Sequence, residues 1–298
     1  MREAVLIGHL TSKNGPAAFA EVSKALVARG VSIVEAHQVE NRKEIRRRVK
    51  RAIKSGHTLI VVIGGDGSQA AAVGPLAHTK AVLGVIPAGT GNSFAQSLGI
   101  KPTIEDAVHT ILTGRVAHVD LGVVNGEYFA NFATIGLSSE IAGSTPKLLK
   151  KIVGGAAYGL SAILPMIKHR PFVAKVSWER NALKLETHQI IVASGRFFGN
   201  TPILPDATVT SGRLAFFTTA GPGRLDVMRM YLAFLNGTQT ELPDAHYFQA
   251  AKLTIVTKKR QPIAIDGSAF GYTPAKFSVA ANALRVMVPQ TPNEATAP

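Results

Sequence analysis

"VVIGGDGSQA", residues 61–70, is the stretch whose reading decides the fold. It closes the apolar run "TLIVVI" (58–63). An unbroken apolar run suits a strand covered on both faces, as in a parallel sheet. The run stops at Gly64, Gly65, Asp66, Gly67 and Ser68. Glycines admit positive φ and let bare backbone N–H groups approach an anion. A helix starting near Ser68 would aim its positive end at the same point. Asp66 alone would repel a phosphate. It makes sense if a hard cation such as Mg²⁺ stands between them.

The flanking sequence repeats this strand–helix alternation. "AVLIGH" (4–9) precedes the helical "PAAFAEVSKALVARG" (16–30), with proline near its start and Gly30 at its end. "VSIVEAH" (31–37) reads as a strand, and "NRKEIRRRVKRAIKSG" (41–56) as a helix. Asn41 and Glu44 form a capping-box-like start, and Ile45, Val49 and Ile53 recur every four residues. "AVLGVI" (81–86) is the fourth strand. Alternating strands and helices imply βαβ units and a mostly parallel sheet.

After Asp120 the pattern changes. Asn125-Gly126 between apolar runs signals a hairpin. "FVAKVSWE", "LKLETHQIIVAS", "RLAFFTTA", "AKLTIVTK", "QPIAID" and "ALRVMVP" read as antiparallel strands. The expected domains are residues 1–121 (α/β), 122–288 (β-rich) and a loose tail, 289–298.

The 298 residues contain no cysteine, which excludes disulfide scaffolds, thiol catalysis and Cys-ligated zinc. A net charge of +14 suggests an anionic partner. The N-terminus reads as a strand rather than a signal peptide. "IVGGAAYGLSAILPMI" (152–167) is too short, and too rich in glycine, for an easy membrane span. The histidines show no metal-binding spacing.

"VIPAGTGNSFAQSLGI" (85–100) repeats the glycine-loop arrangement one βαβ unit later, with Gly89, Thr90, Gly91 and Asn92 in the turn. Loops after adjacent parallel strands open on one sheet edge, where such folds bind ligands. Two of them converging suit a nucleoside triphosphate.

Together, "GGDGS" and "IPAGTGNSFAQSLGI" resemble the diacylglycerol kinase catalytic-domain family, which includes bacterial lipid kinases and sphingosine kinases. The resemblance continues through "HVDLGVVNGEYFANFATIGL" (118–137), "GRFFGNTPILPDATVTSGRLAFF" (195–217) and "IAIDGS" (263–268). It implies an N-terminal α/β domain of NAD kinase/diacylglycerol kinase type, a C-terminal β-sandwich and an active site between them. It also implies transfer of the γ-phosphoryl of ATP to a lipid hydroxyl such as that of diacylglycerol or a sphingoid base. Gly64, Gly65, Asp66, Gly67, Ser68, Gly89, Thr90, Gly91 and Asn92 would border the nucleotide. Asp66 and Asp120 would join a Mg²⁺-linked network, and Asp266 would be the general base.

The chain also departs from the family pattern. Ala70 and Ala71 stand where Asn and Glu are common, Ser93 and Ser211 where Asp is common, and Ser268 where Glu is common. The asparagine-proline loop near the N-terminus is reduced to "HLTSK" (9–13). A catalytically impaired nucleotide- or lipid-binding relative is therefore the alternative reading.

Residues 42–54 carry Arg42, Lys43, Arg46, Arg47, Arg48, Lys50, Arg51 and Lys54 against Glu44. This face is either simply solvated or drawn to an anionic membrane surface. Few aromatics accompany it, so no nucleic acid is expected. "TPKLLKKIVGGAAYGLSAILPMIKHR" (145–170) is either a packed helix pair or an interfacial element. The expected location is cytoplasmic with peripheral membrane association. Self-association into a homo-oligomer is left open.

Overall fold

The computed structural model describes residues 2–10, 15–144, 169–198, 201–202 and 207–290. Most of the 145–170 stretch, and the tail from residue 291, lie outside the described residues.

The first half alternates as its periodicity requires. It runs β1 (Arg2–His9), α1 (Gly15–Ala28), β2 (Val31–Val39), α2 (Arg42–Lys54), β3 (Leu59–Gly64), α3 (Asp66–Leu76) and β4 (Val82–Pro87). The short α4 (Ser93–Ser97) and α5 (Ile104–Thr113) follow. The strands lie parallel in the order β2-β1-β3-β4. Ile60, Val61, Val62 and Ile63 are all completely buried, with sheet neighbours on both sides and helices over both faces. Burying each such aliphatic side chain contributes roughly 1.5–3 kcal/mol. Asn41 caps α2 by accepting the Glu44 N–H at 3.0 Å, while Ile45, Val49 and Ala52 face inward.

The register fixes where the site must be. His9 pairs with Val39, Gly8 with Ile63, and Gly64 with Pro87. The carboxyl ends of all four parallel strands are therefore level, and every following loop opens on one edge.

The second half is antiparallel. β5 (Arg115–Val124) turns at Asn125-Gly126 into β6 (Glu127–Phe129), followed by β7 (Phe132–Gly136) and α6 (Leu137–Ser144). Beyond residue 168 come β8 (Phe172–Trp178), β9 (Asn181–Thr187), β10 (Gln189–Ala193), β11 (Phe197–Phe198), β12 (Thr201–Pro202) and β13 (Leu214–Thr219). Then come α7 (Arg224–Asn236), β14 (Ala245–Ala250), β15 (Lys252–Thr257), β16 (Pro262–Ile265), β17 (Ser268–Tyr272) and β18 (Ala275–Val288). Asn125 and Gly126 take φ of 48° and 88°, the two left-handed residues that a tight hairpin needs. One sheet of the sandwich runs β14-β13-β10-β7-β16-β17. It packs through Ile135, Val192, Phe216 and Ile263 onto Val176, Ile255 and Phe277 of the other sheet.

That other sheet continues the parallel one, which differs from the two separate sheets expected. The run "ALRVMVP", expected among the antiparallel strands of the second half, belongs to the 14-residue β18. Its first part pairs with β15, and its last part inserts parallel to β4 at Arg285–Val82 and Val286–Leu83. β5 runs antiparallel along almost all of β18. A division at residue 121 falls inside β5. "LKLETHQIIVAS" also splits into β9 and β10 at His188, because its two halves pair with different sheets.

Candidate active site

Asp66 is the first residue of α3, directly after Gly65 in the N-cap position. Its Oδ1 accepts the Phe94 N–H at 3.0 Å, and its Oδ2 lies 3.4 Å from the Ser93 hydroxyl. The first glycine loop is thus tied to the second through a carboxylate. The backbones also touch. A Cβ added to Gly89 would fall 2.5 Å from the Gly65 Cα, and one added to Gly65 would fall 3.0 Å from the Gly89 Cα. Neither position admits a side chain without moving the opposite strand exit.

Asn92 sits at φ 51° and braces its own loop. Its Oδ1 accepts the Gly89 N–H at 3.0 Å, and its Nδ2 donates to the Gly89 carbonyl at 3.0 Å. Gln96 donates to the Gly91 carbonyl at 2.7 Å. Thr90 is left exposed at the tip. Ser68 is buried, and its hydroxyl lies 3.3 Å from His9 Nδ1, which joins the exits of β3 and β1.

Asp266 arrives from the sandwich. Asp266 and Gly267 have φ of 44° and 71°, and Ile265 pairs with Ser268, so they form the two-residue turn of the β16–β17 hairpin. The carboxylate is 7% exposed and accepts three backbone N–H groups: Ala130 at 2.8 Å, Asn131 at 2.9 Å and Phe132 at 3.3 Å. Burial pushes its pKa up to about 6. The three N–H bonds pull it down, and the negative charge of Asp66 raises it further.

Asp266 borders a cleft of about 300 Å³ walled by Gly67, Ala70 and Ala71 of α3, by Glu127 and Tyr128 of β6, by Ile265 and Ser268 of the hairpin, and by Arg42. Arg42 is a site residue that the sequence did not single out. Its Nη1 donates to the Ser268 hydroxyl, and its guanidinium packs directly on Gly67. The signal was positional. It is the first residue of the helix after β2, which opens on the same sheet edge.

Asp120 does not join this group. It is 3% exposed and lies mid-way along β5. Its Oδ2 accepts the Gly212 N–H at 2.6 Å and its Oδ1 the Asn282 N–H at 2.8 Å. Asn282, at φ 53°, lies where the pairing of β18 with β5 shifts register. Ser211, beside this tie, directs its hydroxyl to the carbonyls of Thr208 and Arg213, at 3.2 and 3.0 Å. Among the described residues, no three His, Asp or Glu side chains gather as a metal cage, and no helix is long and apolar enough to cross a membrane.

Known proteins share this architecture. The diacylglycerol kinase catalytic domain matches residues 4–124, and the YegS C-terminal NAD kinase β-sandwich-like domain matches residues 133–288. A diacylglycerol kinase of Bacillus subtilis is 27% identical over 245 residues, covering 81% of each chain. One of Staphylococcus epidermidis is 26% identical over 231 residues, covering 76% of this chain and 73% of that one. A crystal structure of a diacylglycerol kinase from Bacillus anthracis superposes with a TM-score of 0.74 at 20% identity, over 98% of this chain and 97% of that one. The chain belongs to the diacylglycerol kinase catalytic-domain family, a family of ATP-dependent lipid kinases.

Proposed function

We propose that this chain transfers the γ-phosphoryl group of ATP to the hydroxyl of a diacylglycerol-like lipid in the cleft between the two glycine loops and the Asp266 hairpin. One observation carries the reading: Gly65 meets Gly89 where the two loops leave the sheet, and the cleft that starts at Gly67 of the first loop is bordered on its far side by Asp266. Relatives named diacylglycerol kinase support the choice of acceptor.

In this reading Gly64, Gly65, Gly67 and Ser68 border the phosphates from one side, and Gly89, Thr90, Gly91 and Asn92 from the other. Backbone approach and the α3 N-terminus supply the donors. The acceptor oxygen bonds to the γ-phosphorus as its proton passes to Asp266. The bond from that phosphorus to the β–γ bridging oxygen breaks, and ADP departs with the electron pair.

A divalent cation fits only as part of the nucleotide complex. Mg²⁺ binds through one or two carboxylates plus substrate phosphates. Asp66, with only a 3.4 Å contact at Oδ2, is the carboxylate placed to meet it. Charge on the β- and γ-oxygens would be offset by that Mg²⁺. Asp120 serves instead as a tie between β5, β18 and the Gly212 loop, because both its oxygens are engaged by backbone N–H groups.

Access from a membrane fits the basic side of α2. Lys43, Arg46, Arg47, Lys50, Arg51 and Lys54 line one shallow face, and Lys43 and Arg46 also border the cleft. An anionic lipid surface attracted there would lie beside the cleft mouth.

The test is transfer of label from γ-labelled ATP to diacylglycerol, a sphingoid base, ceramide and phosphatidylglycerol in mixed vesicles. Labelled phosphatidic acid is the expected product. Bound ATP with no label in any lipid would contradict the proposal.

A further inference from the structure

Arg42 stands apart from the basic run to which it belongs by sequence. A cation in the first turn of a helix opposes the helix dipole, so the position is not explained by helix stability. Lys50, Arg51 and Lys54 line an outer face, and Arg46 reaches across to Glu127, whose carboxylate balances its charge, whereas Arg42 reaches across to a neutral partner, Ser268.

Its surroundings define what it could do. The guanidinium lies against Gly67, the last glycine of the first loop, so a side chain at 67 would displace it. Its one hydrogen bond among the described residues goes to Ser268, two residues beyond Asp266, and this leaves Nε and Nη2 as open donors. Although the residue as a whole is surface-exposed, the protein around its charged end desolvates it and lowers its pKa, while Asp266 and then Asp66 raise it. Gly67 marks the nucleotide side of the cleft and Asp266 the acceptor side. In an in-line displacement the transferred group passes between those two sides.

We propose that Arg42 is a catalytic residue that contacts the transferred phosphoryl group, providing a protein-borne positive charge between Asp66 and Asp266. The assignment rests on the phosphotransferase reading above. The planar fork can hold two phosphate oxygens at once, which a lysine cannot do. Among the described residues no three His, Asp or Glu side chains gather to hold a cation before ATP arrives. A fixed guanidinium makes nucleotide binding less dependent on divalent metal and leaves the metal to act with the nucleotide.

The experiment compares the wild type with Arg42→Gln, Arg42→Ala and Arg42→Lys. Gln keeps a hydrogen-bond donor for Ser268 while removing the charge. ATP affinity is measured by calorimetry with Mg²⁺ and again in EDTA, alongside kcat, KM for ATP and Tm. The wild type is expected to bind ATP in EDTA. Arg42→Gln and Arg42→Ala should lose that metal-free affinity by about tenfold or more, and kcat should fall by about 10²- to 10³-fold, with a smaller change in KM. Arg42→Lys should recover part of the affinity but little of kcat. If Arg42→Ala lowers Tm too far to stay folded, Arg42→Gln carries the comparison. Wild-type kcat and metal-free affinity in a folded Arg42→Gln protein would overturn the role of Arg42 alone. A wild type that binds no ATP even with Mg²⁺ would overturn the nucleotide reading and, with it, the assignment.

Discussion

Asp266 owes its place to a turn that few residue types can make. An aspartate followed by glycine, at φ 44° and 71°, closes a two-residue hairpin and sets its carboxylate on the Ala130, Asn131 and Phe132 N–H groups at the border of the cleft. That part of the site was legible, since Asp-Gly between apolar residues is a hairpin signal whatever the family. Arg42 was not, because helical spacing merges it with seven other cations and says nothing of what faces it. The elevated pKa of Asp266 makes a pH prediction. A base must be ionised to take a proton, so kcat/KM should fall tenfold per pH unit below about 6 and level off above it. A profile flat down to pH 4.5 would remove Asp266 from that role. Linkage runs the other way. The folded state holds this proton more tightly than the unfolded chain, so the associated stability is complete below 3.8 and is lost as pH rises through about 6. The difference is roughly 3 kcal/mol, with the opposing pull of the three N–H groups already included in it.

At the scale of elements, the βαβ units were the most legible. Their strands are unbroken apolar runs, and α2 shows its buried stripe at Ile45 and Val49 together with its Asn41 cap. The split between β9 and β10 was not legible, because ten of the twelve residues are in strands and only the change of pairing partner at His188 divides them. Neither α5 nor α7 was among the elements expected from the sequence. The outer face of α2 gives this scale its prediction. Replacing Lys50 and Arg51 with glutamate reverses two charges far from the site glycines and should weaken binding to anionic vesicles. Each surface charge is worth about 1 kcal/mol, so the loss should be tenfold or more, and it should shrink as salt rises. Vesicle sedimentation at two ionic strengths checks this. Unchanged binding at low salt would reduce the face to ordinary solvation.

For the whole molecule, the decisive feature is one no local pattern announces. β18 comes from the end of the described chain and pairs parallel to β4, about two hundred residues earlier, while also running beside β5 and β15. Both lobes therefore share a strand, and the cleft between the glycine loops and the Asp266 hairpin has a continuous sheet behind it. Asp120 secures this arrangement from one buried position. Replacing it with alanine orphans the N–H groups of Gly212 and Asn282, at about 1–3 kcal/mol each. The expected loss, about 2–5 kcal/mol, should appear in denaturant unfolding in metal-free buffer. Unchanged stability there, joined to a lost Mg²⁺ response, would instead place Asp120 among the metal ligands.

The most direct measurement sets the wild type beside Asp266→Asn under saturating ATP and Mg²⁺. It follows labelled phosphate into diacylglycerol in a single turnover and measures ATP affinity on the same samples. The account predicts transfer by the wild type, a loss of about 10²- to 10⁴-fold in the variant, and ATP affinity that is nearly equal in the two. Undiminished transfer by Asp266→Asn would contradict it.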